Sequence, residues 1–158
     1  MASNLYPIVK ADKTHLSGII NLLNQVNLPQ EGIQTHISDF IVSIHDATVI
    51  GCAGIEVYET VGLLRSVAVH PDYQGKAIGN ALIRMILSHA QKRRIEEIFL
   101  LTETAEKYFL KLGFKRINRD DIDYRIKETQ EFKTLCPASA ISMHYHLSSF
   151  SNNTTKFD

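Results

Sequence analysis

Residues 67–80, VAVHPDYQGKAIGN, change character twice. Val67, Ala68 and Val69 close an apolar run of strand type. His70 and Pro71 break it, and a helical stripe starts after Gly75. Gly75 and Gly79 stand four apart with Lys76 between them. A helix N-terminus exposes unpaired N–H groups at the positive end of its dipole, so it attracts phosphate. Glycines there let a bulky anion approach, and Lys76 adds charge. The preceding strand offers a row of backbone groups to an extended ligand. The arrangement suits a ligand with a long amide arm and a diphosphate, and coenzyme A is such a molecule. The alternative reading is a plain turn into a helix. The dinucleotide fingerprint G-x-G-x-x-G and the P-loop G-x-x-x-x-G-K-[ST] are both absent.

A second group is Glu56 and Arg65, on two strand-like runs separated by Glu59-Thr60. If those two residues form a hairpin turn, position 56 pairs with 63 and 54 with 65. Glu56, Leu63 and Arg65 then share one face, with the two charges as diagonal neighbours. A carboxylate can attract or deprotonate an amine, directly or through water. A guanidinium holds a carboxylate through a two-bond fork. Together they would read an amino-acid-like molecule; the alternative is a structural ion pair.

These residues need a frame to hold them. Residues 5–11 read as an opening strand. Residues 13–26 read as an amphipathic helix through Leu16, Ile19, Ile20, Leu23 and Val26. After a short helix near 34–39, three strands follow at 40–45, 48–58 and 61–69. A long helix spans about 75–93, with Lys92, Arg93 and Arg94 as a solvated cationic cap. Residues 95–102 are a buried strand, 104–113 a helix stopped by Gly113, and 114–117 a strand. The polar stretch 119–136 reads as short helices, and its length predicts a cover over the substrate side. A strand at 140–147 ends a single domain, 1–147, and 148–158 is a frayed tail. The fold class is a mixed α/β sheet flanked by helices.

Composition narrows the function. Lys plus Arg and Asp plus Glu are both 17, giving a neutral balance. That argues against nucleic acid and an anionic membrane as main partners. The N-terminus lacks a signal-peptide pattern and no apolar run approaches a membrane span, so a cytoplasmic location is expected. Cys52 and Cys136 are read as two buried thiols. No metal is expected: His144 and His146 share a face of the last strand, but no third ligand is obvious.

Gln74-Gly75-Lys76-Ala77-Ile78-Gly79 resembles the [Q/R]-x-x-[G/A]-x-[G/A] signature of the GNAT superfamily of acetyl-CoA-dependent N-acetyltransferases. TAEKYFLKLGF, residues 104–114, resembles the helix after that family's fifth strand. The element order matches the GNAT fold, a single domain with a central, mostly antiparallel mixed sheet. GIEVYETVGLLRSVAV, LLTETAEKYF and EFKTLCPASAISM resemble the arsenic-resistance branch of N-acetyltransferases, associated with detoxifying amino-acid-like arsenicals.

The resemblance implies acetyl-CoA as co-substrate. Val67, Ala68 and Val69 would bind its pantetheine arm through their backbone, with the Val67 amide as oxyanion donor. Residues 74 to 80 (Gln74, Gly75, Lys76, Ala77, Ile78, Gly79 and Asn80) would wrap the diphosphate. Thr102 stands where the family often has an Asn against the cofactor arm. The tyrosine acid of the family falls at Phe109 here, which leaves neighbouring Tyr108 as candidate acid or as core packing. A glutamate base of some members falls at Leu63, so Glu56 is the candidate instead. The activity implied is transfer of acetyl to the primary amine of a small molecule, with a homodimer left open. Acetylation of a protein N-terminus or lysine, and an inactive acyl-CoA-binding module, are the alternatives.

Overall fold

A computed structural model describes residues 5–135 and 138–149. Cys136 and residues 150–158, most of the expected tail, lie outside the described residues. Strand β1 (Ile8–Lys10) leads through a 3-10 turn to helix α1 (Leu16–Gln25). Asp12 caps that turn through the Thr14 N–H at 2.8 Å, which fixes where the chain leaves β1. Then follow β2 (Phe40–His45), β3 (Thr48–Tyr58), β4 (Val61–Val69), α2 (Ile78–Lys92), β5 (Glu97–Thr102) and α3 (Glu106–Lys111). The chain closes with β6 (Lys115–Arg116), α4 (Tyr124–Lys127) and β7 (Ile141–His146).

Among the described residues, seven strands form one sheet in the order β1-β2-β3-β4-β5-β7-β6. Only β4 and β5 run parallel; the other neighbours are antiparallel. This is the expected mixed, mostly antiparallel sheet. The β3–β4 hairpin has the expected two-residue turn, with Tyr58 opposite Val61, Glu56 opposite Leu63 and Gly54 opposite Arg65. Glu59 takes φ +58° to make it. Gly54 cannot be larger, since a Cβ there would stand 2.2 Å from the Phe40 ring.

Alternation along the strands sorts the core onto two faces. Phe40, Val42, Cys52 and Ala68 meet Ile19, Leu22 and Leu23 of α1. Ile41, Ile50, Ala53, Ile55 and Leu64 meet Leu82, Ile83, Ile86 and Leu87 of α2 on the other face. Each Val, Leu, Ile or Phe among them contributes about 1.5–3 kcal/mol of burial. Arg93 is not a purely solvated cap as the sequence suggested. It donates to Asp39 at 2.8 Å, where His89 also lies at 2.7 Å, and this joins the end of α2 to the start of β2.

Candidate functional site

The parallel pairing of β4 with β5 stops at Leu63 opposite Phe99. Both strands run on, and the gap between them opens a cavity of about 660 Å³. Residues 64–69 form one wall and 100–102 the other, and Tyr108 and the head of α2 close it. The His70 N–H bonds Ile50 of β3 at 2.7 Å, whereas the Val69 carbonyl accepts from Gln74 Nε2 at 3.1 Å. Val69 therefore faces away from β3. Val67, two residues back and just after the irregular stretch of the strand, lines the same wall. So the free backbone of β4 belongs to the cavity.

The wall contains an irregularity that the sequence reading missed. Ser66 takes φ +60°, and the β3–β4 register slips between Cys52 and Gly54. A bulge of this kind re-aims the residues after it. Arg65 stays on the α1 face, whereas Val67 and Val69 pack towards the α2 core.

Beyond β4, His70 Nδ1 accepts the Asp72 N–H at 3.1 Å and starts the turn Pro71–Tyr73. Gly75 then takes φ +81° and Ala77 φ +62°, and α2 begins at Ile78. The sequence reading began this helix at 75. Two left-handed residues, one of them an alanine, displace the start because they turn the chain before the helical ladder begins. No side chain caps α2. Its first N–H groups, with those of a loop that turns left-handed at Gly75 and Ala77, have the arrangement by which a backbone nest can accept an anion. Of the residues assigned to this loop, Gln74, Gly75 and residues 77–80 line the cavity; Lys76 is exposed and is not part of the lining. A Cβ on Gly75 would meet nothing within 4 Å, so its φ is what requires glycine.

Tyr108 reaches the same place from α3. Its hydroxyl donates to Asn80 Oδ1 at 2.8 Å and lies 3.4 Å from where a Cβ on Gly79 would sit. Burial pushes its pKa up, so the phenol stays protonated near neutral pH. Phe109 is turned into the core against Phe114. Thr102 lines the cavity, but its Oγ1 accepts the Ala105 N–H at 3.0 Å and so shapes the entry to α3.

Comparison with known proteins supplies the family. Residues 36–116, just over half the chain, match the model of the acetyltransferase (GNAT) domain. The chain belongs to the GNAT acetyltransferase family. It is 28% identical over 129 residues to an amino-acid acetyltransferase of Actinobacillus pleuropneumoniae, covering 76% of this chain and 30% of that protein. The Haemophilus ducreyi amino-acid acetyltransferase is 32% identical over 116 residues, covering 68% of this chain and 26% of the relative. This GNAT chain thus spans under a third of the length of these curated relatives. In fold it is similar to Neisseria gonorrhoeae N-acetylglutamate synthase, solved with coenzyme A and L-arginine. The TM-score is 0.75 at 22% identity, covering 91% of this chain and 34% of that one.

In this GNAT domain Glu56 and Arg65 meet as a buried pair. Arg65 Nη1 donates to Glu56 Oε2 at 2.8 Å, and the two residues are 4% and 5% exposed. Tyr58 donates its hydroxyl to the other Glu56 oxygen, and burial, aided by this bond, pushes the Tyr58 pKa up. Arg65 Nε donates to Ser66 Oγ at 3.1 Å and Nη2 to the Pro29 carbonyl at 3.3 Å. Every nitrogen of the guanidinium therefore has a protein partner. Arg65 and Ser66 border the cavity, whereas Glu56 stands behind them and outside its lining.

The sequence reading also missed Glu131. The 119–135 stretch packs on the same face as Leu63: Ile122, Ile126 and Phe132 meet Leu63 and Phe99. Arg125 Nη1 ties it to Glu59 at 3.0 Å. This brings the Glu131 carboxylate 3.6 Å from Arg65 Nε, buried and with a pKa raised to about 7 by loss of water and by Glu56, against the pull of Arg65. A charged residue inside a polar stretch carries no sign of burial, so nothing in the sequence marked it. Cys52 is a buried free thiol whose Sγ donates to the Ser66 carbonyl at 3.0 Å, and burial pushes its pKa up to about 12. It is not a nucleophile near neutral pH.

Proposed function

We propose that this domain moves acetyl from acetyl-CoA to the primary amine of a small, amino-acid-like molecule, by direct attack and in the cytoplasm. The observation that carries the reading is the gap where β4 leaves β5, leading straight to the nest at the head of α2. The family supplies the reaction class, and the curated relatives, named amino-acid acetyltransferases, support the acceptor class.

The steps follow from the placement of groups. The pantetheine arm lies along Val67, Ala68 and Val69, and the diphosphate sits in the nest of residues 74–80. The neutral amine attacks the thioester carbon, and the oxygen that gains charge meets the Val67 N–H. One preorganised donor of this kind is worth about 3 kcal/mol. The C–S bond then breaks, the thiolate takes the Tyr108 proton, and the nitrogen loses its extra proton to solvent. Tyr108 must first release Asn80, its present partner.

Arg65 is proposed to meet the acceptor's carboxylate. Its Nη2 contact with Pro29, at 3.3 Å, is the weak one that an incoming anion can replace. Glu56 has both oxygens engaged, so it holds Arg65 in place, and any proton it takes must come through water. The resemblance to the arsenic-resistance branch adds amino-acid-like arsenicals to the acceptors to assay.

Thiol release from acetyl-CoA, followed with a panel of amino acids, arsenical analogues and peptides, tests the reading. Release with free amino acids supports it. Release with peptides alone, or with none of these amines, overturns it in favour of a protein acetyltransferase or a silent binding module. Acetyl-CoA should also raise the melting temperature by mass action. Gly79→Leu should abolish that rise without unfolding the domain, because the added side chain enters the cavity beside Tyr108. A variant that binds acetyl-CoA as the parent does would overturn the nest assignment.

A further inference from the structure

His144 and His146 stand on one face of β7, and the sheet supplies the third group that the sequence did not reveal. Glu97 of β5 pairs directly with His146, and Phe99 with His144. Glu97 Oε2 lies 2.6 Å from His144 Nδ1 and 3.7 Å from His146 Nε2. One ligating atom from each of the three lies within 4.8 Å of the others. The two imidazoles meet edge to face, with centroids 5.3 Å apart. His144 also stacks on Phe99 at 6.2 Å and 20°, which fixes its plane.

We propose that Glu97, His144 and His146 bind a divalent transition-metal ion, with zinc as its representative. Two imidazole nitrogens and one carboxylate oxygen are a donor set for borderline cations, whereas magnesium and calcium ask for oxygen alone. A tetrahedral zinc ion holds its ligand atoms about 3.4 Å apart. Reaching that spacing requires the Glu97–His144 hydrogen bond to open and the remaining atoms to close in, which side-chain torsions accomplish on fixed strands. The two histidines and the glutamate come from paired backbone positions, so the ligands are already ordered. His146 is largely exposed, which gives the ion a path in and leaves a coordination position for water. Lys115 pairs with His144 from the other neighbour, β6, and its charge keeps the affinity moderate.

The site is separate from the acetyl-transfer cavity. Glu97 lies opposite Val61, at the end where β4 and β5 are paired, and the cavity begins three residues further along β5. The ion acts as a clip between β5 and β7. It ties the C-terminal strand to the parallel pair whose far end opens the cavity.

Calorimetric titration of the chelator-treated full chain with zinc chloride, paired with thermal melting, tests this. One zinc per chain at micromolar affinity and a raised melting temperature are expected, with no response to magnesium. Glu97→Gln and His146→Gln should each weaken zinc at least tenfold, whereas His45→Ala should not. His146 is exposed, so its replacement leaves the fold intact, and an unchanged acetyl-CoA melting shift checks this. No zinc heat at 0.1 mM (on the order of a hundred times a micromolar Kd), an equal response to magnesium, or undiminished zinc binding by His146→Gln would each overturn the site.

Discussion

The two ends of β4 are built to opposite purposes. At Val61–Leu63 the strand has β3 on one side and β5 on the other, and its backbone is used up in the sheet. At Val67–Val69 it has β3 alone, and the other edge looks into the cavity. The side chains follow the same division. Just past the closed end, Glu56, Tyr58 and Arg65 satisfy one another in the dark. Past the open end, Gly75, Ala77 and the uncapped head of α2 leave N–H groups for a guest. A buried sheet opens a cavity where one neighbour departs while the other keeps the strand in place.

The largest effect should come from breaking the buried pair just past the closed end. Arg65→Ala leaves buried Glu56 with only the His36 ring, at 3.7 Å, as a charge partner, at a cost of about 3–5 kcal/mol. Urea denaturation measures it. The double variant Glu56→Gln/Arg65→Met should recover most of the loss below about pH 7, where buried Glu131 holds its proton and no charge is left in the pair. Gly79→Leu at the open end should leave stability nearly unchanged and remove ligand binding instead. If Arg65→Ala costs under about 1 kcal/mol, the pair is too solvated to be the clamp described.

Glu131 is the next in size and bears on the same buried pair. Its carboxyl has an ordinary value of 4.5 and is raised to about 7 in the fold. Between these pH values the folded chain keeps a proton that the unfolded chain has lost. The stability this group contributes is therefore present below about pH 4.5 and is lost as pH rises through about 7. The full swing is about 3 kcal/mol. Glu131→Gln is neutral at every pH, so it should match the parent near pH 5 and exceed it near pH 8. Parallel stability curves for the two proteins would show that Glu131 does not titrate in this range.

How far the sequence reached depends on how local each cause was. The hairpin register was legible because a two-residue turn and a period of two leave one pairing, and Glu56 opposite Leu63 followed directly. The nest residues were legible by type, but the helix start was set three residues early, since a left-handed alanine looks like any alanine. The bulge at Ser66 was not legible at all. It arises from the sheet's need to turn Val67 towards α2 while keeping Arg65 with α1. Glu97 escaped notice beside His144 and His146 because the β5–β7 register joins segments far apart in sequence. Glu131 was hidden for the same reason: only the packed segment brings it to Arg65.

The smallest effect separates the buried pair from the open end most cleanly. Ala77 and Ser66 are both non-glycine residues held at left-handed φ, +62° and +60°. Such a conformation costs an L-residue about 1–2 kcal/mol, and glycine relieves it while adding about 0.4–1 kcal/mol of unfolded-state entropy. At Ala77 nothing else is lost, because the side chain makes no cap bond. Ala77→Gly should therefore gain about 0.5 kcal/mol, or a degree or two in melting temperature. Its acetyl-CoA affinity should not rise, because a looser nest must be ordered on binding. At Ser66 the hydroxyl accepts from Arg65 Nε at 3.1 Å. A bond to a charged donor is worth about 1.5–3 kcal/mol, more than the strain released, so Ser66→Gly should destabilise. Opposite signs for the same substitution at nearly the same φ would show that strain at the head of α2 serves a guest, and strain in the β4 wall serves the ion pair. Stabilisation by both variants would mean that the Ser66 hydroxyl does not hold Arg65.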